Sequence, residues 1–273
     1  MQQKDTRPSA PNTSPRCDLS PMWTSYCRAI KALDEASIPF LVGGAYALHY
    51  YTGIWRDTKD LDVFVRPEDH KVGLDALAAA GYRTVLSFPH WLGKATWGEY
   101  NIDIIFSSGN AIGKVDDSWF RHAVDGKILG LPVKVIPAEE MIWSKAFVME
   151  RERYDGADVM HILAARLEEI DWNRLLDRFG PHWRVLLSYL ILFGFVYPSQ
   201  RSLIPAWLME DLMERLESEM KSDSSNGRIC QGTLLSRTQY QFDIEEWGYL
   251  DARLPPMGAM SEEEIEQWNN GPP

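Results

Sequence analysis

The stretch Val42-Gly43-Gly44-Ala45, followed fifteen residues after Gly44 by Lys59-Asp60-Leu61-Asp62-Val63-Phe64-Val65, constrains this chain more than any other part of it. It reads as a strand, a glycine turn, a short helix and a second strand. A strand has a side-chain period of two, so Asp60 and Asp62 share one face and Leu61, Val63 and Val65 the other. Two carboxylates side by side repel unless a cation sits between them. Hard divalent cations, Mg²⁺ or Mn²⁺, prefer such oxygen ligands and keep room for phosphate oxygens. Gly43 and Gly44 let backbone approach a phosphate closely, and the helix that follows offers its N-terminus to negative charge. These parts predict metal-assisted phosphoryl or nucleotidyl transfer.

A third carboxylate lies in Glu99-Tyr100-Asn101-Ile102-Asp103-Ile104-Ile105-Phe106, where Asp103 is the only charge within a β-rich apolar run. An isolated buried carboxylate needs a partner. If the two strands are neighbours, Asp60, Asp62 and Asp103 converge as metal ligands and catalytic groups. Taken singly, each feature has a plainer use. Paired glycines serve any strand-to-helix turn, an Asp-x-Asp pair suits a solvated strand face, and Asp103 suits a salt bridge as well as a ligand.

The ordered set of Gly43-Gly44, then Arg56-Asp57-Thr58-Lys59-Asp60-Leu61-Asp62, then the later Asp103 resembles the nucleotidyltransferase superfamily of the DNA polymerase β type. The Arg-x-Thr-x-Asp-hydrophobic-Asp form is nearest the AbiEii-like toxin and minimal nucleotidyltransferase branch, and the resemblance covers roughly residues 36–165. Two departures stand out: the spacing from the glycines to the aspartates is longer than in the polymerase-like members, and Gly44 occupies a position where many members carry Ser. The resemblance implies an NTP substrate, a divalent metal on the three aspartates, and a lysine on a helix after the sheet that holds nucleotide phosphates. Lys145 matches that lysine; Arg151, Arg153, Asp155 and Asp158 follow it, with Arg153 and the two aspartates reading as a capping and ion-pair network. A surface role would suit Lys145 equally on sequence alone. Arg56 and Lys59 flank the aspartate strand, to reach phosphate or to balance the carboxylates.

The expected fold is an α/β (α+β) polymerase β-like core with a small mixed sheet, over residues 21–136, followed by a helical domain over 137–220. Strands are predicted near Pro39–Val42, Tyr82–Phe88, Ala95–Phe106 and Leu131–Ile136, and helices at Ser25–Ala36, Ala45–Tyr51 and Pro67–Gly81. From Pro137 the pattern is helical throughout. Residues 1–20, rich in Pro, Ser, Thr and Gln, read as a disordered tail. Residues 221–273 read as a linker and a partly docked segment, because Leu234, Leu235, Tyr240, Phe242, Trp247 and Tyr249 are too apolar for a free tail. The final Glu- and Pro-rich residues read as mobile.

The net charge of −11 argues against a general nucleic-acid coat. The acidity is concentrated late: residues 205–273 hold 14 acidic and 5 basic side chains, residues 1–204 hold 25 and 23. Three cysteines without metal-ligand spacing, and a polar N-terminus, fit a reducing cytoplasm. The apolar stretch Val185–Tyr197 is too short to span a bilayer, so no membrane is expected. The acceptor stays open between a small molecule, tRNA and protein, and a protein partner fits the toxin-type alternative. A nucleotide-binding module without turnover is the non-enzymatic alternative.

Overall fold

A computed structural model describes residues 20–221 and 227–271, so the expected disorder of the N-terminal tail and most of the expected linker lie outside the described residues. The chain is built on a seven-stranded mixed sheet, a smaller two-stranded sheet and eleven α-helices among those residues. The large sheet contains β1 (Leu41–Val42), β2 (Asp60–Phe64), β3 (Arg83–Phe88), β4 (Leu92–Trp97), β5 (Tyr100–Ile105), β6 (Val124–Ile128) and β7 (Leu131–Val135) in the order β3-β4-β5-β2-β1-β7-β6. β1 runs antiparallel to β2 and parallel to β7, and β2 runs parallel to β5.

Period-two burial sets the sheet's two faces. Leu61, Val63, Ala95, Ile102 and Ile104 are fully buried. They face α1 (Pro21–Glu35) and α3 (His70–Ala79); a Cβ on Gly93 of the same face would meet the Leu74 side chain of α3 at 2.7 Å. α1 starts where Ser20 caps it and Pro21 pre-sets the first turn. The opposite face of β2, β5 and β4 carries the polar partners of these positions. α2 (Gly44–Thr52) leaves β1 at the glycine pair and stops at Gly53, whose φ of +73° ends the helix in the left-handed region.

The expected single strand over Ala95–Phe106 is instead two strands, β4 and β5, folded at Gly98, whose φ of +64° permits the turn. One glycine in an otherwise β-rich run gives little warning of a hairpin. The strand β6 and the short helix α4 (Asp117–His122) are likewise additions. β6 pairs with β7 across Leu129 and Gly130, both at positive φ, as the tightest hairpins require.

The helical region follows as expected: α5 (Ala138–Ala146), α6 (Gly156–Arg166), α7 (Trp172–Phe179), α8 (Trp183–Val196) and α9 (Ala206–Lys221). The helical run Trp172–Val196 suffices by length and composition to cross a bilayer, longer than the sequence stretch considered above. It is interrupted by a 3₁₀ turn at Gly180–His182, and one stripe of it (Leu175, Phe179, Leu186, Leu190, Phe193) is buried in the core.

A largely buried ionic cluster ties α5 to α7 and α7 to the start of α4. Glu140 of α5, with no exposed surface, accepts from Arg174 Nη1 at 2.6 Å and from Arg178 Nε at 2.9 Å, both on α7. Arg174 also binds Glu139, and Arg178 reaches Asp116 at the N-cap of α4.

The last described segment is ordered through β8 (Ile229–Cys230), α10 (Gln241–Glu245), β9 (Leu250–Asp251) and α11 (Glu262–Asn270), β8 pairing with β9. The Glu-rich end expected to be mobile is therefore a docked helix. Ser261 and Glu264 form a reciprocal capping box at its start. Trp268 packs edge-on against Phe88 and Trp91, and Arg253, 1% exposed, ties Asp251 to Asn269.

The ionic cluster makes a stability prediction. Arg174→Ala leaves the buried Glu140 with Arg178 alone, and breaking such a pair costs about 3–5 kcal/mol. Urea denaturation of the variant against wild type should show a loss of that size; a loss below about 1 kcal/mol would assign the cluster to the surface class of ion pairs.

Candidate active site

Register brings the predicted carboxylates together. β2 and β5 are parallel neighbours with Asp62 opposite Asp103 and Asp60 opposite Asn101. Asp60, Asp62 and Asp103 thus lie on the open face of adjacent strands, all partly buried. β4 adds two groups that the sequence reading did not single out. Lys94, opposite Asp103, donates to Asp103 Oδ2 at 3.3 Å, and Thr96 donates to Asn101 Oδ1 at 3.1 Å while Asn101 Nδ2 donates to Asp60 Oδ1 at 3.0 Å. The signal was present: once the Gly98 turn is seen, the alternation Leu92, Lys94, Thr96 faces Asn101 and Asp103.

The glycines have a local explanation. Gly44 has φ +56°, and a Cβ there would fall 1.6 Å from Asp62 Oδ2. Only glycine lets α2 start against that carboxylate. A Cβ on Gly43 would fall 2.3 Å from the Phe64 ring. Gly43 N–H donates to the Asp62 carbonyl at 3.0 Å, locking the turn to β2.

The carboxylates carry more negative charge than the protein offsets. Burial pushes the Asp62 carboxyl up from its usual range and neighbouring Asp60 adds to this, against the relief from Lys145, Arg153 and Lys94. Burial raises Asp103 to about 6, against Lys94, with Asp62 and Asp60 adding to the rise. Asp103 Oδ1 is buried with no hydrogen-bond partner. Lys94 therefore meets only part of the demand for positive charge. Among the described residues no group of three or more carboxylate, His or Cys donors stands ready-made for a metal, because two of the three aspartates are turned to Lys94 and Asn101. The orphaned oxygen and the raised carboxyls nonetheless suit a hard cation.

Facing Asp62 is a chain of alternating charges from the helical region. Lys145, in the last turn of α5, lies 2.8 Å from Asp155 and 2.8 Å from Asp158. Arg56 reaches Asp158 at 2.5 Å, and Arg153 spans both oxygens of Asp155 at 3.2 Å. Burial opposes ionisation of Asp155, but Arg153 and Lys145 outweigh it and hold its carboxyl below the usual range. Lys145 is 16% exposed and shared by two carboxylates, whereas Arg153 is 69% exposed. Lys59 is not part of this assembly; it pairs with Glu99 at the surface, 3.0 Å away.

The raised carboxyl of Asp103 links stability to pH. In the unfolded chain Asp103 ionises near pH ~4, in the folded protein near 6. Stability is therefore lost as pH rises through that window and the loss is complete above it. In metal-free buffer, Asp103→Asn should make the protein more stable than wild type at about pH 8, with the difference shrinking toward about pH 4. Denaturation curves at both pH values check this; an Asn variant less stable at both would mean that the Lys94 contact outweighs the burial.

Among curated proteins none matches this chain. Among solved structures, the antibiotic-resistance factor ANT(2'')-Ia is 17% identical, covering 72% of this chain and 92% of its own at a TM-score of 0.39. The lincosamide antibiotic adenylyltransferase LnuA is 13% identical, covering 52% and 96% at 0.39. An antigenic nucleotidyltransferase-like protein from Paracoccidioides brasiliensis is 16% identical, covering 68% and 93% at 0.44. At such identities and TM-scores these likenesses bear on neither substrate nor site. The family match is of another order: it runs over residues 22–178, from α1 through both aspartate strands and Lys145 to α7. By that match, over more than half its length, the chain belongs to the family described as nucleotidyl transferase of unknown function (DUF2204).

Proposed function

We propose that this nucleotidyl transferase moves an NMP from an NTP to a hydroxyl acceptor and releases pyrophosphate, using a divalent cation held by Asp60, Asp62 and Asp103. The observation that carries the reading is the in-register set of three carboxylates on one open face, two of them with carboxyls pushed up by burial and one with an orphaned oxygen. A Mg²⁺ or Mn²⁺ ion there supplies charge neutralisation for the phosphate oxygens and the leaving group. Asp103, opposite Asp62 on the neighbouring strand, is assigned to take the acceptor hydroxyl's proton. Lys94 holds Asp103 in place and Asn101 orients Asp60. Arg153 is the cation with the most exposed side chain in the network that faces Asp62, so it is assigned to the triphosphate. Lys145 is assigned to holding Asp155 and Asp158, with phosphate contact second. The narrower AbiEii-like, toxin-type reading differs only in the acceptor. Incubation with labelled NTPs and cell extract distinguishes label entering RNA, protein or a small molecule; no incorporation and no pyrophosphate release, despite NTP binding, would leave a binding module without turnover.

Asp62→Asn should reduce transfer to below roughly a hundredth of wild type while leaving the apo protein folded and at least as stable. Full turnover in this variant would remove the carboxylate reading.

Lys145→Ala and Arg153→Ala should separate two roles. Arg153→Ala should raise KM for NTP roughly tenfold or more with little change in Tm. Lys145→Ala should lower Tm as well, because it strips two half- or fully buried carboxylates of their shared cation. Equal Tm values with unequal KM, the larger in Lys145→Ala, would return the phosphate role to Lys145.

A further inference from the structure

The loop between α5 and α6 carries Arg153, and it is held both by its own bonds and by the far end of the chain. Within the loop, Glu150 N–H donates to the Arg153 carbonyl at 2.8 Å and Met149 bridges Tyr154. Val148 N–H donates to the Lys145 carbonyl at 3.1 Å and Asp155 N–H to the Val148 carbonyl at 3.2 Å, and further groups of Met149 and Glu150 are met by residues 235–239. Met149 N–H donates to the Leu235 carbonyl at 3.0 Å. The Glu150 carboxylate accepts from the Ser236 hydroxyl and, at 2.8 Å, from the Arg237 N–H. Gln239 Nε2 donates to the Met149 carbonyl at 3.2 Å. Ser236 is 1% exposed, so its bond to Glu150 is an interior contact, whereas the Gln239 bond lies at the surface.

The same segment is anchored on the sheet side. Asn110, in the loop after β5, donates from Nδ2 to the Leu234 carbonyl at 2.7 Å, and its own Oδ1 accepts from Ser108 at 2.6 Å. The Arg237 guanidinium lies over the Trp268 ring of α11 at 5.2 Å, and Trp268 is seated among Phe88, His90 and Trp91 beside the β3–β4 turn. Residues 234–239 are therefore held between the aspartate sheet and the Arg153 loop and bonded to both.

We propose that residues 234–239 are a positioning clamp for the Arg153 loop, with Glu150 as the positioning residue through which the C-terminal segment sets the triphosphate-binding arginine. The inference rests on the nucleotidyl transfer reading. It goes beyond it by making the C-terminal segment, which lies outside the family match at residues 22–178, part of the nucleotide site without contributing a group to the reacting atoms. A flexible arginine loses conformational freedom when it binds phosphate, and a loop already fixed at Met149 and Glu150 has less to lose.

The test is a double-mutant cycle in the full chain between Glu150→Ala and Arg153→Ala, read as affinity for inorganic tripolyphosphate by calorimetry and as KM for NTP, with Tm measured alongside. Ser236→Ala serves as the milder variant of the clamp. Each single variant of the cycle should weaken tripolyphosphate binding roughly tenfold, Ser236→Ala by less, and the double variant should be no weaker than Arg153→Ala alone, because Glu150 acts through Arg153. A purely structural Glu150 would lower Tm and give additive losses, or none in affinity; either result overturns the clamp while leaving the transfer reading intact. If Arg153→Ala binds tripolyphosphate as wild type does, the arginine's phosphate role fails and the clamp with it. Absence of NTP binding and turnover in the wild-type protein would instead overturn the transfer reading itself.

Discussion

Three carboxylates on one face of adjacent strands are an electrostatic cost that the rest of this structure is arranged to hold. Asp62 is the centre of it. It is pinned by a backbone bond from Gly43, closed in by an α2 start that tolerates no side chain at Gly44, and faced by Lys145 and Arg153. Few groups could occupy such a place at neutral pH without a strong opposing charge, and a buried carboxylate without one would take up a proton instead. The protein meets the demand partly, with Lys94 on Asp103 and a cation-bearing helical region opposite Asp62. What remains unmet is negative charge on the aspartate face, the kind of charge that a hard cation offsets.

That view gives the helical region a reason. α5 and α6 deliver Lys145, Asp155 and Asp158, and the loop between them delivers Arg153. Asp155 and Asp158 keep these cations from collapsing onto Asp62 when no substrate is present, because each cation is already shared. Such a network works only if the helices do not drift relative to the sheet. Glu139 and Glu140 on α5, Arg174 and Arg178 on α7, and Asp116 at the head of α4 supply that tie. The pairs of Glu139 and Glu140 are buried, so their worth lies less in net stabilisation than in the high cost of any arrangement that separates them.

Much of the sheet side was legible because strands have a strict period. Asp60 and Asp62 had to share a face, and Leu61 and Val63 had to share the other; the apolar run around Asp103 had to be a mostly buried strand. What the sequence hid was pairing. The hairpin at Gly98 looked like one long strand, so Lys94, Thr96 and Asn101 were not seen beside the aspartates. Lys59, near the aspartates in sequence, pairs instead with Glu99 because it lies just before the strand, at a place where the chain is exposed. The glycines were visible, but the close approach they permit is first of all that of Asp62 and Phe64. At the C-terminus the capping box of Ser261 and Glu264 was readable, yet a run of glutamates outweighed it. The burial of Trp268 that completes α11 depends on Phe88 and Trp91, far away in sequence, and no local pattern announces it.

The acidic skew of residues 205–273 takes on a different meaning once this segment is placed. Residues 228–239 and 251–253 hold Arg228, Arg237, Arg253 and Asp251 but no glutamate, and they contain the buried residues Cys230, Thr233, Leu234, Ser236, Asp251 and Arg253. The glutamates lie on α9, at the end of α10 and on α11, and the Ser261-capped start of α11 favours them at its positive end. An acidic exterior beside a phosphate-binding site would oppose substrate entry if it lined the approach. Here two basic residues of the segment turn inward, Arg237 over Trp268 and Arg253 on Asp251, and Glu150 is held in place by a hydroxyl and a backbone N–H. Uncharged donors fix the loop's backbone without adding a second cation to it, and the Arg153 guanidinium is the most exposed cation of the network that faces Asp62.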